Sequence, residues 1–584
     1  MASWLLRAFT GEQPRVSENL LPSNAAAAAE NTRLDSGDLT PLREPQFAYA
    51  FPAYPGYQTI YRHLDAWLGW TGVVHCAPGP VATDRLYITG DGVPKMRVGV
   101  DEYPLAVPAP TAGLSSAVTG TGSGDTITSV FVYTFVTAFG EESEPSAASA
   151  DVVWQAGQTV TISGFQAAPA GRNITLQRIY RTQTGSSGTD LYFIAKRAAS
   201  AANFVDTVGV EDFGEVLPSR AYNAPPDNLQ GIISMPNGMM AAFVGRDIYF
   251  CEPYQPHAWP QVYSLTVDYD IVALGSVGSS LIVMTEGYPY LVQGTDPTSM
   301  QMVKIESNLP CINARGVQDM GTAIAYPSHE GLVLADAGGG VRVVTENLFN
   351  RDDWQKLNPG LIRAGQLSGR YFAAFDSTDA NGQPYAGTII IHGQAAPAFL
   401  TRSSVIADAF FYDLSEGALY FVEATGQVKR FDPPTGPPIN QYWRSRPLLL
   451  PFADNFGAIF VDGEATPTVQ ELANIEAASV AAIAANELLL DDPLGSELNG
   501  APINEYAFAG DNLEAIPGVA KIVSISILAD GVPVASIGIV GRPTRLPSGF
   551  RARKWEIGVF GTTTIRSVAV ARTMADLKAM GASL

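Results

Sequence analysis

Cysteine is almost missing from this chain. Cys76, Cys251 and Cys311 are the only three in 584 residues, and no two lie near each other. An odd, scattered set supplies no disulfide framework, which points to a reducing site of synthesis. Histidine is as scarce, at five: His63, His75, His257, His329 and His392. None stands in a His-x-x-x-His, His-Glu-x-x-His or Cys-x-x-Cys pattern, so the common zinc signatures are excluded. No Gly-x-x-x-x-Gly-Lys-Ser/Thr phosphate loop occurs, and Gly338-Gly339-Gly340 reads as a hairpin turn. The carboxylate pairs Asp268/Asp270 and Asp352/Asp353 read as turns and solvated surface. No catalytic residue, cofactor or metal ligand is expected.

Positive charge is also in short supply. Lys and Arg number 36 against 57 Asp and Glu, a net charge of −21. Such a chain is soluble and ill suited to gripping a nucleic-acid backbone, although DNA could slide past it without sticking. One strip departs from this balance. Between Gly541 and Arg572 lie Arg542, Arg545, Arg551, Arg553, Lys554, Arg566 and Arg572, opposed only by Glu556. By default this is a solvated face. As a site, it would meet an acidic neighbouring subunit or DNA phosphates. Long apolar runs are lacking too. Trp4-Leu5-Leu6 is too short for a signal peptide, and no stretch reads as a membrane span.

Turn residues and short apolar runs are abundant, with 56 glycines and 41 prolines. Between Leu229 and Phe431 the runs fold back on themselves at Gly245, Gly287, Gly331 and Gly417. A further hairpin, Tyr371–Phe375 with Thr388–Ile391, fills the longest gap. Hairpins repeating every ~40–45 residues have the spacing of β-propeller blades, small sheets that must stack around an axis to bury their faces.

The rest of the chain divides around this run. Residues 1–45 form an N-terminal arm, with a short helix expected after Asn24 and a hairpin around Ser36-Gly37-Asp38. Residues 46–107 have the length of one more blade, with strands at Thr59–Arg62, Val73–Cys76, Arg85–Thr89 and Lys95–Val98. Residues 108–222 are an insertion of short strands, read as a β-sandwich. There Tyr133–Phe139, followed by Gly140-Glu141-Glu142-Ser143-Glu144-Pro145-Ser146, resembles a fibronectin type III strand and its turn. Residues 223–440 carry the blades. Residues 441–584 form a C-terminal β-rich platform with one Ala-rich helix over 468–490, opened by the capping box Thr468–Glu471. The fold class is therefore mainly β. Trp67, Trp70, Tyr254, Trp259 and Trp354 either pack between blades or line a sugar-binding shelf.

Several motifs resemble a group of tailed-phage virion proteins. They are Phe9-Thr10-Gly11, Leu20–Ala26, Glu30–Arg43, Thr59–Arg62, Leu68-Gly69-Trp70, Arg85–Gly92 with Pro94, Ile248–Pro253 and His257-Ala258-Trp259-Pro260. Tyr442–Ser445 and Arg551–Ile557 fit less specifically. The family is that of tail tubular protein B, the nozzle of short-tailed phages. The resemblance implies a propeller subunit in a homo-hexameric ring below the portal and adaptor, beside tail fibre or tip proteins. Double-stranded DNA would pass through it without sequence-specific binding. It implies a non-enzymatic protein, made in the host cytoplasm and located in the virion tail. The alternative is an adhesion module, a propeller with a fibronectin-like domain that binds host-surface glycan. A third class, a glycan-degrading propeller, lacks the carboxylate cluster it needs.

Overall fold

The computed structural model describes residues 3–185, 188–378, 382–464, 469–490 and 523–580. The chain is mainly β, built of many small antiparallel sheets. Alternating apolar residues with glycine or Asx turns set the pattern. The strand Ser280–Thr285 is buried throughout because both of its faces meet other sheets.

Six four-stranded units follow one another in a closed circuit. The first runs from His75–Pro78 to Asp101–Pro104. The next three start at Gln230–Ser234, Ile271–Val277 and Gln318–Asp319. The fifth spans Arg363–Leu367 to Phe399–Ser403. The sixth holds Ala409–Asp413, Ala418–Val422 and Gln427–Arg430, and takes its fourth strand, Gln46–Ala50, from near the N-terminus. The first strand of each unit touches the first strand of the next. The hairpin Thr59–His63 with Ala66–Trp70 closes the circuit. It abuts Ala409–Asp413 on one side, and on the other packs Tyr61, Leu68 and Trp70 with Val74, Leu86 and Ile88.

Two expectations shift here. Thr59–His63 does not join the strands of residues 73–98. It pairs with Ala66–Trp70, and Asp101–Pro104 supplies the fourth strand of the first unit. The glycine repeat also slips in phase. Gly245, Gly287 and Gly331 turn between the second and third strands of their units, whereas Gly417 turns between the first and second of the sixth. The corresponding turn there is at Gly426.

Residues 108–222 form three small sheets around a shared core of Phe131, Tyr133, Phe135, Val160, Ile162 and Ile179. All the strands expected there are present. Ser115–Thr119, Ser123–Ser129 and Val152–Ala156 add three more.

The C-terminal block continues the fifth unit. Its outer strand, Phe399–Ser403, meets Ala26–Glu30, and the sheet runs on through Gln441–Ser445, Ala552–Gly561, Val523–Ala529 and Val532–Ile537. A second sheet places Ser3–Arg7 beside Ile565–Ala571 and Ala458–Gly463. The N-terminal segment is thus a structural part of this block. Trp4, Leu6, Phe9 and Leu39 sit in its core. The helix expected after Asn24 is instead the strand Ala26–Glu30, because pairing with Gln441–Ser445 outweighs the helix preference of alanine. The hairpin around Ser36-Gly37-Asp38 is present, joining Thr32–Arg33 to Thr40–Pro41. The Ala-rich helix spans Val469–Leu490. Thr468, the cap of its expected capping box, lies outside the described residues.

Candidate functional site

The first strands of neighbouring units line two small cavities. One cavity of about 140 Å³ is lined by Gln58, Val74, His75, Arg315, Arg363 and Phe410. A second, also about 140 Å³, is lined by Ile233, Gly275 and Ile324, and shares His75, Ala314 and Val317 with the first. Asn313 ties the two arginine-bearing segments together. Its Oδ1 accepts from the Arg315 amide (3.0 Å), and its Nδ2 donates to the carbonyl of Ile362 (2.7 Å). Arg363 pairs with Asp376. Burial and the nearby Arg363 charge push the Arg315 guanidinium down to about 10. Burial takes the His75 imidazole down to about 4, so it is neutral at pH 7.

A second polar feature fixes the 108–222 insertion to the circuit. Residues 140–146, read from the sequence as a turn, bury Glu141, Glu142 and Ser143. The Arg172 guanidinium pairs with Glu141 (2.8 Å) and donates to the carbonyls of Leu105 and Ala106, both at 3.2 Å. The Glu142 carboxylate accepts from Thr134 (2.7 Å) and Tyr180 (2.6 Å), and pairs with Arg178 (2.9 Å). A ring nitrogen of His257 lies 3.0 Å from the Glu142 carbonyl. Burial lowers the His257 pKa, which keeps the ring neutral against this seam. Downstream, Ser143, Ser146 and Ser149 each accept from a backbone amide of the strand Phe131–Thr137. Their hydroxyls fill in for carbonyls that an irregular segment cannot align. The spacing Ser-x-x-Ser-x-x-Ser was the available signal, and the sequence reading passed over it as turn composition.

The structure divides the basic strip. Lys554 is half-buried and pairs with Glu556 (2.6 Å), which also meets Arg444 (3.3 Å). Arg444 reaches Glu18 in turn (2.9 Å), so Lys554 belongs to an internal network. Arg542, Arg545, Arg551 and Arg553 are exposed and make no ion pair with a described residue. Arg551 and Arg553 come together beside the strand Leu448–Asp454. Arg553 donates to the Pro451 carbonyl (3.4 Å), and the charge of Arg551 adds to the effect of Arg572 in lowering the Asp454 pKa. Arg545 lies opposite Ala458, on the neighbouring sheet. Arg566 faces Asp462 at 3.8 Å, and Arg572 pairs with Asp454.

The five aromatics considered as a shelf do not form one. Trp259 and Trp354 are 1% and 0% exposed, and Trp67 packs edge-on against Phe411 and Tyr420. Asp268 accepts from Tyr290 (2.8 Å), and Asp353 sits in the first turn of a short helix capped by Asn350. Among the described residues no three His, Cys, Asp or Glu side chains converge as a metal site would require.

No family model and no curated protein matches this chain. Solved structures show distant similarity. The N-terminal domain of Nup159 aligns at 8% identity and a TM-score of 0.23, covering 42% of this chain and 67% of that one. The extracellular domain of a putative hybrid two component system, BT4673 from B. thetaiotaomicron, aligns at 9% identity and a TM-score of 0.26. This chain covers 44% of its length, and 72% of this chain is matched. BBS1N, in complex with ARL6DN, aligns at 11% identity and a TM-score of 0.21, with 44% of this chain and 88% of that one covered.

Proposed function

We propose that this chain is a structural virion protein, the nozzle subunit of a short-tailed phage. The six units are then blades of a β-propeller, residues 108–222 a fibronectin III-like sandwich, and the C-terminal block the platform that meets neighbouring tail proteins. The observation that carries the reading is the circuit itself. The hairpin Thr59–His63 with Ala66–Trp70 closes it, and the strand Gln46–Ala50 completes its sixth unit. Support also comes from the nozzle-like motifs, since Glu30–Arg43 and Arg85–Gly92 fall in the segments that join platform to circuit and form the first unit.

The geometry constrains where DNA would run. The two cavities of about 140 Å³ cannot admit a double helix, whose major groove alone is about 12 Å wide. A DNA conduit would have to lie between copies, around the axis of the assembled ring. The acidic balance suits that role, because a wall that repels phosphate lets the genome slide. Electron microscopy of the virion tests the reading. A six-fold ring of this protein on the tail axis is expected, and its absence from the tail would overturn the assignment. For the glycan-binding alternative, Trp259 and Trp354 are buried and Trp67 packs against Tyr420, which takes these three from a binding shelf.

A further inference from the structure

The strand Leu448–Asp454 breaks its own ladder. Leu448 lies opposite Trp555 and Leu449 opposite Lys554, but the next pair is Asp454 with Ala552. The residues between are squeezed out of register and form a bulge, Leu450-Pro451-Phe452-Ala453. Phe452 stands at its tip with 84% of its surface exposed, and Leu449 beside it is 54% exposed. A groove of about 400 Å³ lies behind the bulge, lined by Leu448, Leu450, Phe456 and Arg572. Arg553 donates to the Pro451 carbonyl at the base of the bulge, Arg551 lies near enough to Asp454 to help lower its pKa, and neither ion-pairs with a described residue. A bare aromatic tip with two such arginines near its base is what a buried interface anchor looks like before its partner arrives.

The charge pattern selects the partner. This basic knob belongs to a chain of net charge −21, so acidic side chains outnumber basic ones over the rest of every copy. Two knobs face to face would oppose their own arginines, which disfavours a two-fold contact. A knob against an acidic surface elsewhere on a second copy joins unlike charges. Such a head-to-tail contact closes into a ring when the rotation allows.

We infer that the 450–453 bulge is the plug of a heterologous contact with a second copy of this chain, with Phe452 as its anchor and Arg551 and Arg553 as its charged rim. The inference rests on the assembly proposed above and locates one face of its subunit contact.

Sedimentation velocity on the full-length protein tests it, comparing wild type, Phe452→Asp and the double variant Arg551→Glu/Arg553→Glu. The wild type is expected to form closed oligomers of more than two copies. Each variant should raise the concentration needed for assembly by about tenfold or more, and added salt should weaken the wild type alongside the charge variant. All three side chains are exposed, so unfolding midpoints should be unchanged. If a variant unfolds, Phe452→Ser and Arg551→Gln/Arg553→Gln carry the same comparison. Labelled Phe452→Asp copies mixed with wild type should still be captured, because they keep the acidic face. A wild-type monomer or two-fold dimer, or variants that assemble like wild type, would overturn the contact. A six-fold tail ring that persists in the variants leaves the nozzle reading standing without this plug. Assembly lost in the variants, with no such ring in the virion, keeps the plug and removes the nozzle.

Discussion

Ala50 lies directly opposite Gln427, and Tyr49 opposite Val428, in the strand pair that completes the sixth unit. A segment made early is held by one made much later. Without it the outer edge of the sixth unit, Gln427–Arg430, would stand unpaired. The N-terminal strand also carries Tyr49 into the small core of Ile60, Tyr420 and Val428.

Breaking that ladder should loosen the sixth unit. Val428→Pro removes a strand N–H at a fully buried position and should cost about 3 kcal/mol or more. The expected result is a lower thermal midpoint with new proteolytic cleavage around residues 46–58. An unchanged midpoint would mean that this strand is ornamental.

The seam to the insertion should fail at Arg172. Arg172→Ala leaves the buried Glu141 carboxylate unpaired and frees two carbonyls, and removing one partner of a buried pair costs about 3–5 kcal/mol. Hydrogen exchange should quicken at residues 105–107 and 140–143. The core strand Phe131–Thr137 should stay protected, since its packing does not involve Arg172. Loss of protection throughout the insertion would show that the seam and the insertion core fold as one unit.

Acid should destabilise the fold through its buried histidines. The His392 ring stacks on Phe399 at 4.3 Å, and burial together with Arg370 pushes it down to about 3 from an ordinary 6.5. The unfolded chain therefore takes up a proton before the folded one. Stability is full above about pH 6.5 and declines as the pH falls from there towards 3, with His75 and His257 acting in the same direction. His392→Phe keeps the stack and removes the titration. Its denaturation midpoint should fall less steeply than that of wild type across this window, and parallel slopes would assign the acid sensitivity elsewhere.

Much of the local architecture was legible because it depends on near neighbours. Alternating apolar residues around Gly245, Gly287 and Gly331 specify hairpins, and those hairpins are where the pattern placed them. The strands of the insertion were legible for the same reason. Asn24–Ala29 misled because its local preference is helical while its partner strand lies at residues 441–445. The burial of Glu141 and Glu142 was not legible, because nothing in the run from Gly140 to Ser146 names a partner for either carboxylate. Their cations, Arg172 and Arg178, arrive from later strands. The basic strip was visible in composition. That Lys554 is spent on Glu556, while Arg551 and Arg553 gather at a bulge, follows from a register shift no local pattern encodes.

The sequence by itself determined a mainly β chain of repeated short hairpins, an inserted block of strands, an acidic balance and one basic strip. All of these are properties of composition and of residues a few places apart. Tertiary structure alone decided which edges meet. Ala50 finds Gln427, Leu5 finds Ala569, and Glu12 finds Arg402. The Glu12 carboxylate shows the reason. Burial raises its pKa, and Arg402 and the Ala29 amide offset that cost only once three distant segments converge. Unfilled strand edges and buried charges are satisfied by whatever the fold brings near, and that proximity is absent from the linear order of the chain.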